Sequence, residues 1–178
     1  DDLRAFNQTL PVPYSNVDVS FATPCAACDL SFLTGITGIN VIGLNNCTLT
    51  LPTSTLSLKL SRTHHVTLSD SKNQTCPDVS NEKAITTLLP RLHELGFIGE
   101  TLSEKALPFA LGDVTTLSAM TVEVDAVDAG FRFPTQLTSL SLQVRNASVN
   151  NAFPMPLACL QTMEICLDRN QQPVDLSG

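Results

Sequence analysis

The sequence has no tryptophan and a single tyrosine, and aromatic residues fill only 5% of its 178 positions. Rings stack on sugars and anchor tight protein interfaces, so neither a strong glycan platform nor an aromatic hot spot is expected. Positive charge is also scarce. Ten Lys and Arg lie scattered against seventeen Asp and Glu, giving a formal net charge of -7 and a pI near 4.7. A surface of that sign repels phosphates, which makes anionic membranes poor partners and sets nucleic-acid binding aside. No run approaches the roughly 20 consecutive apolar residues that a membrane-spanning helix needs. The longest, around Phe32 to Leu44, is broken by Gly, Thr and Asn.

Catalytic signatures are missing too. The chain has no G-x-S-x-G, no H-E-x-x-H and no phosphate-cradling glycine loop; the stretch from Gly35 to Gly43 belongs to a repeat. His64, His65 and His93 stand beside no nucleophile, and neighbours in a strand face opposite ways, so His64 and His65 would not share a metal. Cys25 and Cys28 form a C-x-x-C pair without the second pair that zinc sites use, and without the βαβ setting of redox motifs. A structural disulfide role is the better expectation. No metal, no cofactor and no enzymatic activity are expected.

What is present suits one domain with a sizeable core: 43% of residues are hydrophobic and only 15% charged. Six cysteines, Cys25, Cys28, Cys47, Cys76, Cys159 and Cys166, are compatible with three disulfides of open connectivity. Four N-glycosylation triplets begin at Asn7, Asn46, Asn73 and Asn146. This composition alone supplies roughly two or three such triplets, so the cysteines and triplets together carry the expectation of a secreted or cell-surface protein. An opening at Asp1-Asp2 fits a mature secreted product or an excised fragment.

Internal repetition is the strongest signal. Five segments fit one template of apolar, two free, apolar, free, apolar, two free, small or polar, free, apolar. They are Ile39-Ile42-Leu44-Cys47-Leu49, Leu92-Leu95-Phe97-Glu100-Leu102, Leu117-Met120-Val122-Asp125-Val127, Leu137-Leu140-Leu142-Arg145-Ala147, which ends on a small residue, and Leu160-Met163-Ile165-Asp168-Asn170, in which the final apolar place is lost. A sixth unit falls at Thr55 to His65 through Leu58 and Leu60, with its register open by two residues. Proline precedes several units, at Pro52, Pro90, Pro134 and Pro156, where a returning segment would end. Each unit alone leaves an apolar face bare, so the units must stack in parallel.

The pattern resembles the leucine-rich-repeat family over roughly residues 30 to 172. The resemblance implies an α/β solenoid of the irregular extracellular type, with a short parallel sheet, few helices and a binding role. Only the first unit keeps Cys or Asn at the ninth place. That makes Cys47 a core residue, while its triplet Asn46-Cys47-Thr48 argues for exposure; both readings stay open. An all-β sandwich of Greek-key type is the alternative fold, which leaves the five matches unexplained.

Residues 1–30 read as an amino-terminal cap in which Val17, Val19 and Phe21 alternate as a strand. The solenoid follows over 31–172, with an insertion at about 66–88. A short helix is expected inside the insertion through Ala84, Ile85, Leu88 and Leu89, capped by Asp78 or Ser80. Residues 173–178 are a tail or the start of a further segment. Cys159 and Cys166 would help to close that end, unless the chain is a piece of a longer protein.

In the template's register, Asn45, Glu94, Ile98, Thr121, Glu123, Ser141, Gln143 and Glu164 share the concave sheet face and form the expected binding surface. The leading expectation is a secreted, non-catalytic recognition or assembly module for a protein or glycan partner. A subunit of an extracellular coat or filament, assembling with itself, comes second. A secreted carboxylate hydrolase comes third, with Glu94 and Glu123 as near neighbours on adjacent strands, although a flat sheet offers no cleft for acid catalysis.

Overall fold

The structure is a computed structural model, and it describes residues 15–23, 25–69, 88–103, 106–107, 111, 114–128, 130–145 and 157–167. Twelve strands are found among them, every pairing parallel. Seven strands form one sheet in the spatial order β1 (Asn16–Ser20), β3 (Gly38–Ile42), β5 (Ser57–Ser61), β7 (Glu94–Ile98), β9 (Ala119–Val124), β11 (Ser139–Val144) and β12 (Thr162–Leu167). A second sheet pairs β2 (Ala27–Asp29), β4 (Asn45–Thr50) and β6 (His64–Ser69). A third holds only β8 (Thr101–Leu102) and β10 (Ala126–Val127). The chain is thus a parallel β-solenoid.

This corrects the expected α/β class: the elements among the described residues are all strands, joined by turns, and helical geometry there is confined to the single residues Leu88 and Leu111. The parallel pairing equally rules out the Greek-key sandwich, which is antiparallel. The reason lies in the return segments, whose apolar residues recur every third position. Leu33-Ile36-Ile39, Leu89-Leu92-Leu95, Val114-Leu117-Met120 and Leu157-Leu160-Met163 show the spacing. Each segment begins with a tight turn that closes an amide onto the carbonyl three residues back. The matching bonds are Ile36 to Leu33 (3.1 Å), Thr55 to Pro52 (3.1 Å), Leu92 to Leu89 (3.2 Å), Leu117 to Val114 (3.1 Å), Leu137 to Pro134 (3.3 Å) and Leu160 to Leu157 (3.0 Å).

The next amides would have to bond four residues back for a helix to propagate. They bond sideways instead. Thr37 and Gly38 both donate to the Ser15 carbonyl, Leu56 and Ser57 to Thr37, and His93 and Glu94 to Leu56. Ser118 and Ala119 then share His93, Thr138 and Ser139 share Ser118, and Gln161 and Thr162 share Thr138. This ladder registers each coil's first strand on the preceding one. Ala84 and Ile85 of the expected helix lie outside the described residues. Of its other members, Leu88 is helical and packs half-buried against the core, and Leu89 is buried and opens one of the turns.

Alternation in the large sheet separates core from surface. The inward columns are Val17, Ile39, Leu58, Leu95, Met120, Leu140 and Met163, and Val19, Val41, Leu60, Phe97, Val122, Leu142 and Ile165. Nearly all are buried, and each fully buried aliphatic side chain contributes roughly 1.5–3 kcal/mol. Val17, Val19 and Phe21 alternate as expected, and Leu58 and Leu60 settle the register of the sixth unit.

The first unit departs from its template. Its inward strand residues are Ile39 and Val41, not Ile42 and Leu44. Gly43, at φ 75°, ends the alternation and turns the chain, and Leu44 re-enters the core only beyond that corner. Val41, which falls between Ile39 and Ile42 where the template turns side chains outward, is fully buried.

Main-chain bonds satisfy these corners: Phe21 N–H donates to Ile42 O (3.0 Å), Gly43 to Ser61 (2.9 Å), Arg62 to Ile98 (2.7 Å) and Gly99 to Glu123 (3.0 Å). The ninth template places, Glu100, Asp125 and Arg145, therefore need not bond loop backbone from inside, and all three have solvent access.

Candidate functional site

The surface with the most regular chemistry is the outward face of the seven-stranded sheet. Register defines three ladders across it. The first runs Asn16, Gly38, Ser57, Glu94, Ala119, Ser139, Thr162; the second Asp18, Asn40, Lys59, Gly96, Thr121, Ser141, Glu164; the third Ser20, Ile42, Ser61, Ile98, Glu123, Gln143, Cys166. Small neutral side chains dominate, and no ring stands on the face. Where glycine occurs, a neighbour lies over it: Asn16 covers Gly38 and the Lys59 stem covers Gly96. Ser61 Oγ donates to Asn40 Oδ1 at 3.1 Å, and Ser141 Oγ donates to Glu164 Oε2 at 3.3 Å.

Seven of the eight expected face residues, Glu94, Ile98, Thr121, Glu123, Ser141, Gln143 and Glu164, stand on this face. Asn45 does not. It begins β4 in the second sheet, opposite His64, because the chain has already turned at Gly43. Reading the first unit in the frame of the others therefore placed Asn45 on the wrong side of the solenoid. Asp18, Asn40 and Lys59, absent from the expectation, belong to the face. Alternation about Leu58 and Leu60, and about Val17 and Val19, was the signal for them.

Glu94 and Glu123 are not near neighbours. Glu94 pairs with Ala119 and Glu123 with Ile98, so four residues along the strand and one strand step separate them. That is roughly 14 Å, beyond either carboxylate spacing that glycosidases use. Glu123 is instead engaged by Arg145 Nη2, whose Nη1 lies 3.6 Å from Asp125. The Glu123 bond and charge raise the Arg145 pKa further. These exposed groups form a charged border where the strands leave the sheet.

A thiol cluster occupies the second sheet. Cys25 Sγ lies 3.3 Å from Cys47 Sγ, and Cys28 is buried nearby on β2. Burial pushes the Cys47 thiol up to about 12, with its bond to Cys25 and the charges of Cys25 and Cys28 adding to the shift. Burial, then Cys25, then Asp29 raise Cys28 to about 12 as well. Cys159 and Cys166 are exposed and free, and Cys76 lies outside the described residues.

The conflict over Cys47 resolves in favour of the core reading, with only its neighbour Asn46 in solvent. Cys47 is buried, whereas Asn46 is exposed and held at φ 50°. The equivalent His65 on β6 has the same φ, so the left-handed residue is a feature of this wall rather than an accident of one coil. Asn7, Asn73 and Asn146 lie outside the described residues.

His64 and His65 are both exposed, and His93 Nδ1 bonds the Thr116 carbonyl at 3.0 Å. Among the described residues, no group of three His, Cys, Asp or Glu side chains is placed to hold a metal ion. Nor is any helix there long and apolar enough to cross a membrane.

The two ends of the large sheet differ from its middle. A cavity of about 790 Å³ lies along β1, where Val17, Val19, Phe21, Leu30, Leu33 and Ile36 supply most of its apolar wall. At the other end Met163 is 43% exposed, although its column partners Leu140 and Met120 are buried. No protein-family model matches the chain, and neither a curated protein nor a solved structure matches it significantly.

Proposed function

We propose that the chain is a secreted, non-catalytic recognition or assembly module, an irregular, strand-rich variant of the leucine-rich type, whose large sheet face contacts another protein. The observation that carries this reading is the face itself: seven strands in unbroken register with small, mostly neutral side chains turned outward. Such a surface packs closely against a flat partner at little cost in side-chain entropy. The lack of rings favours a protein partner over a glycan.

Seven strands by five residues cover roughly 500 Å², short of the roughly 800 Å² that each side of a standard interface buries. The contact therefore extends onto the corner that carries Glu123, Asp125 and Arg145. The separation of Glu94 from Glu123 weighs against hydrolase chemistry.

The test is a photo-crosslinking amino acid placed at Ser141 on the face and, for reference, at exposed Thr53 on a turn. Chains carrying each substitution are expressed in the native secretory setting. Adducts with one defined protein at Ser141 and none at Thr53 are expected. Adducts at Thr53 alone, or at neither position, contradict the reading.

The two apolar ends favour a second reading, a subunit of an extracellular coat or filament. Head-to-tail stacking would bring the Met163 edge of one copy to the β1 cavity of the next, a contact that propagates without closing. Sedimentation across a concentration series separates the two: an open-ended series of species supports stacking, and a constant mass supports the face alone.

A further inference from the structure

We propose that Cys25 and Cys47 are a disulfide pair that staples the first two coils of the solenoid, with Cys28 kept beside them as a buried thiol. This does not rest on the sheet-face reading; it follows from the second sheet. Parallel pairing of β2 with β4 sets Ala27 opposite Thr48 and Cys28 opposite Leu49. Thr48 N–H donates to Ala26 O at 3.0 Å, and Leu30 N–H to Thr50 O at 2.8 Å, so backbone bonds fix the strand at both ends. That register carries Cys25 to the side of Cys47, with the sulfurs 3.3 Å apart across 22 residues of sequence. Closing to a bond of about 2.05 Å needs a shift of roughly 1.2 Å, within reach of side-chain rotation. Cys28 faces the core opposite a leucine, without a cysteine across from it.

The oxidant is a disulfide, either glutathione disulfide or the disulfide of an oxidoreductase. Cys25 is the more accessible thiol and starts the exchange. Its thiolate attacks one sulfur of glutathione disulfide, breaking that bond and releasing one glutathione thiolate. Cys47 then gives up its proton and attacks the Cys25 sulfur of the mixed disulfide, and the second glutathione leaves. Two protein thiols are oxidised and one glutathione disulfide is reduced to two thiols. Burial of Cys47 makes the second step the slow one.

The test uses the full chain, equilibrated with glutathione disulfide, alkylated in denaturant and cut on the amino side of aspartate. Cleavage before Asp18, Asp29 and Asp70 leaves Cys25 and Cys28 on segment 18–28 and Cys47 on segment 29–69. The expected product is the two segments joined, with the alkyl group on Cys28. The link is retained in Cys28→Ser and lost in Cys25→Ser. Should Cys25→Ser fold poorly, fragmentation of the wild-type product between Cys25 and Cys28 gives the same answer. A closed Cys25–Cys28 loop, a Cys28–Cys47 link, a link from Cys47 to another cysteine, or full alkylation of Cys47 overturns the pairing.

Discussion

Replacing Val41 by alanine separates the observed register from the repeat template at one residue. The template turns Val41 outward beside Asn45, whereas the structure buries it fully between Val19 and Leu60 in the core column. Two methyl groups leave the core in Val41→Ala. At about 0.8 kcal/mol for each buried carbon, the transfer loss is about 1.6 kcal/mol. The void they leave adds to it, because strands registered by backbone bonds on both sides close over it only partly. A total of about 2–3 kcal/mol follows, which lowers the melting temperature of a chain this size by about 5–10 °C. Asn45→Ala, on the exposed side of β4, should cost less than about 0.5 kcal/mol. Calorimetry on the two variants and the parent decides. If Asn45→Ala proves as costly as Val41→Ala, or Val41→Ala melts with the parent, the register argument is refuted.

Three further outcomes follow from particular residues. Thr50 Oγ1 and Ser69 Oγ are buried and lie 2.6 Å apart, so Ser69→Ala strands a buried hydroxyl. It should cost about 1–3 kcal/mol in chemical denaturation, and adding Thr50→Val should recover part of that loss. Gly43 and Arg62 occupy equivalent corners at φ 75° and 53°. Gly43→Ala should destabilise by about 1–2 kcal/mol while Arg62→Gly changes stability little or raises it, measured by thermal melts. The third concerns alkaline pH and the reduced protein. Cys28 and Cys47 titrate near pH 9.0 when unfolded and near 12 when folded. Between those values the unfolded chain loses protons first, so folding stability contributed by the two thiols is complete below pH 9 and lost as pH rises to about 12. Double replacement by alanine should flatten that decline in a urea-midpoint profile; an unchanged decline contradicts the assignment.

Much of the architecture was legible because stacking units repeat their apolar columns. Leu95 with Phe97, Met120 with Val122 and Leu140 with Leu142 each signal one strand, and their shared spacing signals parallel stacking. That the described return segments are tight turns rather than helices was harder to read. An apolar residue every third position, as in Val114-Leu117-Met120, fits a helical stripe or a chain of tight turns equally well. The choice falls to the sideways capture of the next amides by the preceding coil, which no local pattern records. The frame of the first unit was hidden for a different reason. Ile42 and Leu44 flank a corner, and both satisfy an alternating template although Gly43 turns the chain between them. That error carried Asn45 onto the sheet face. The supposed neighbourhood of Glu94 and Glu123 failed because the two hold different template positions: adjacent strands set equal positions side by side, and Glu94 begins its strand whereas Glu123 sits four places further on.

The most direct test of the account is a map of cross-strand nuclear Overhauser contacts in the isotope-labelled chain. The parallel solenoid predicts contacts from Leu140 and Leu142 to Met120 and Val122 on one side and to Met163 and Ile165 on the other, each pair in the same order along both strands. Pairs that run in opposite order, or the sequential amide contacts of a helix between Val124 and Leu140, would contradict it.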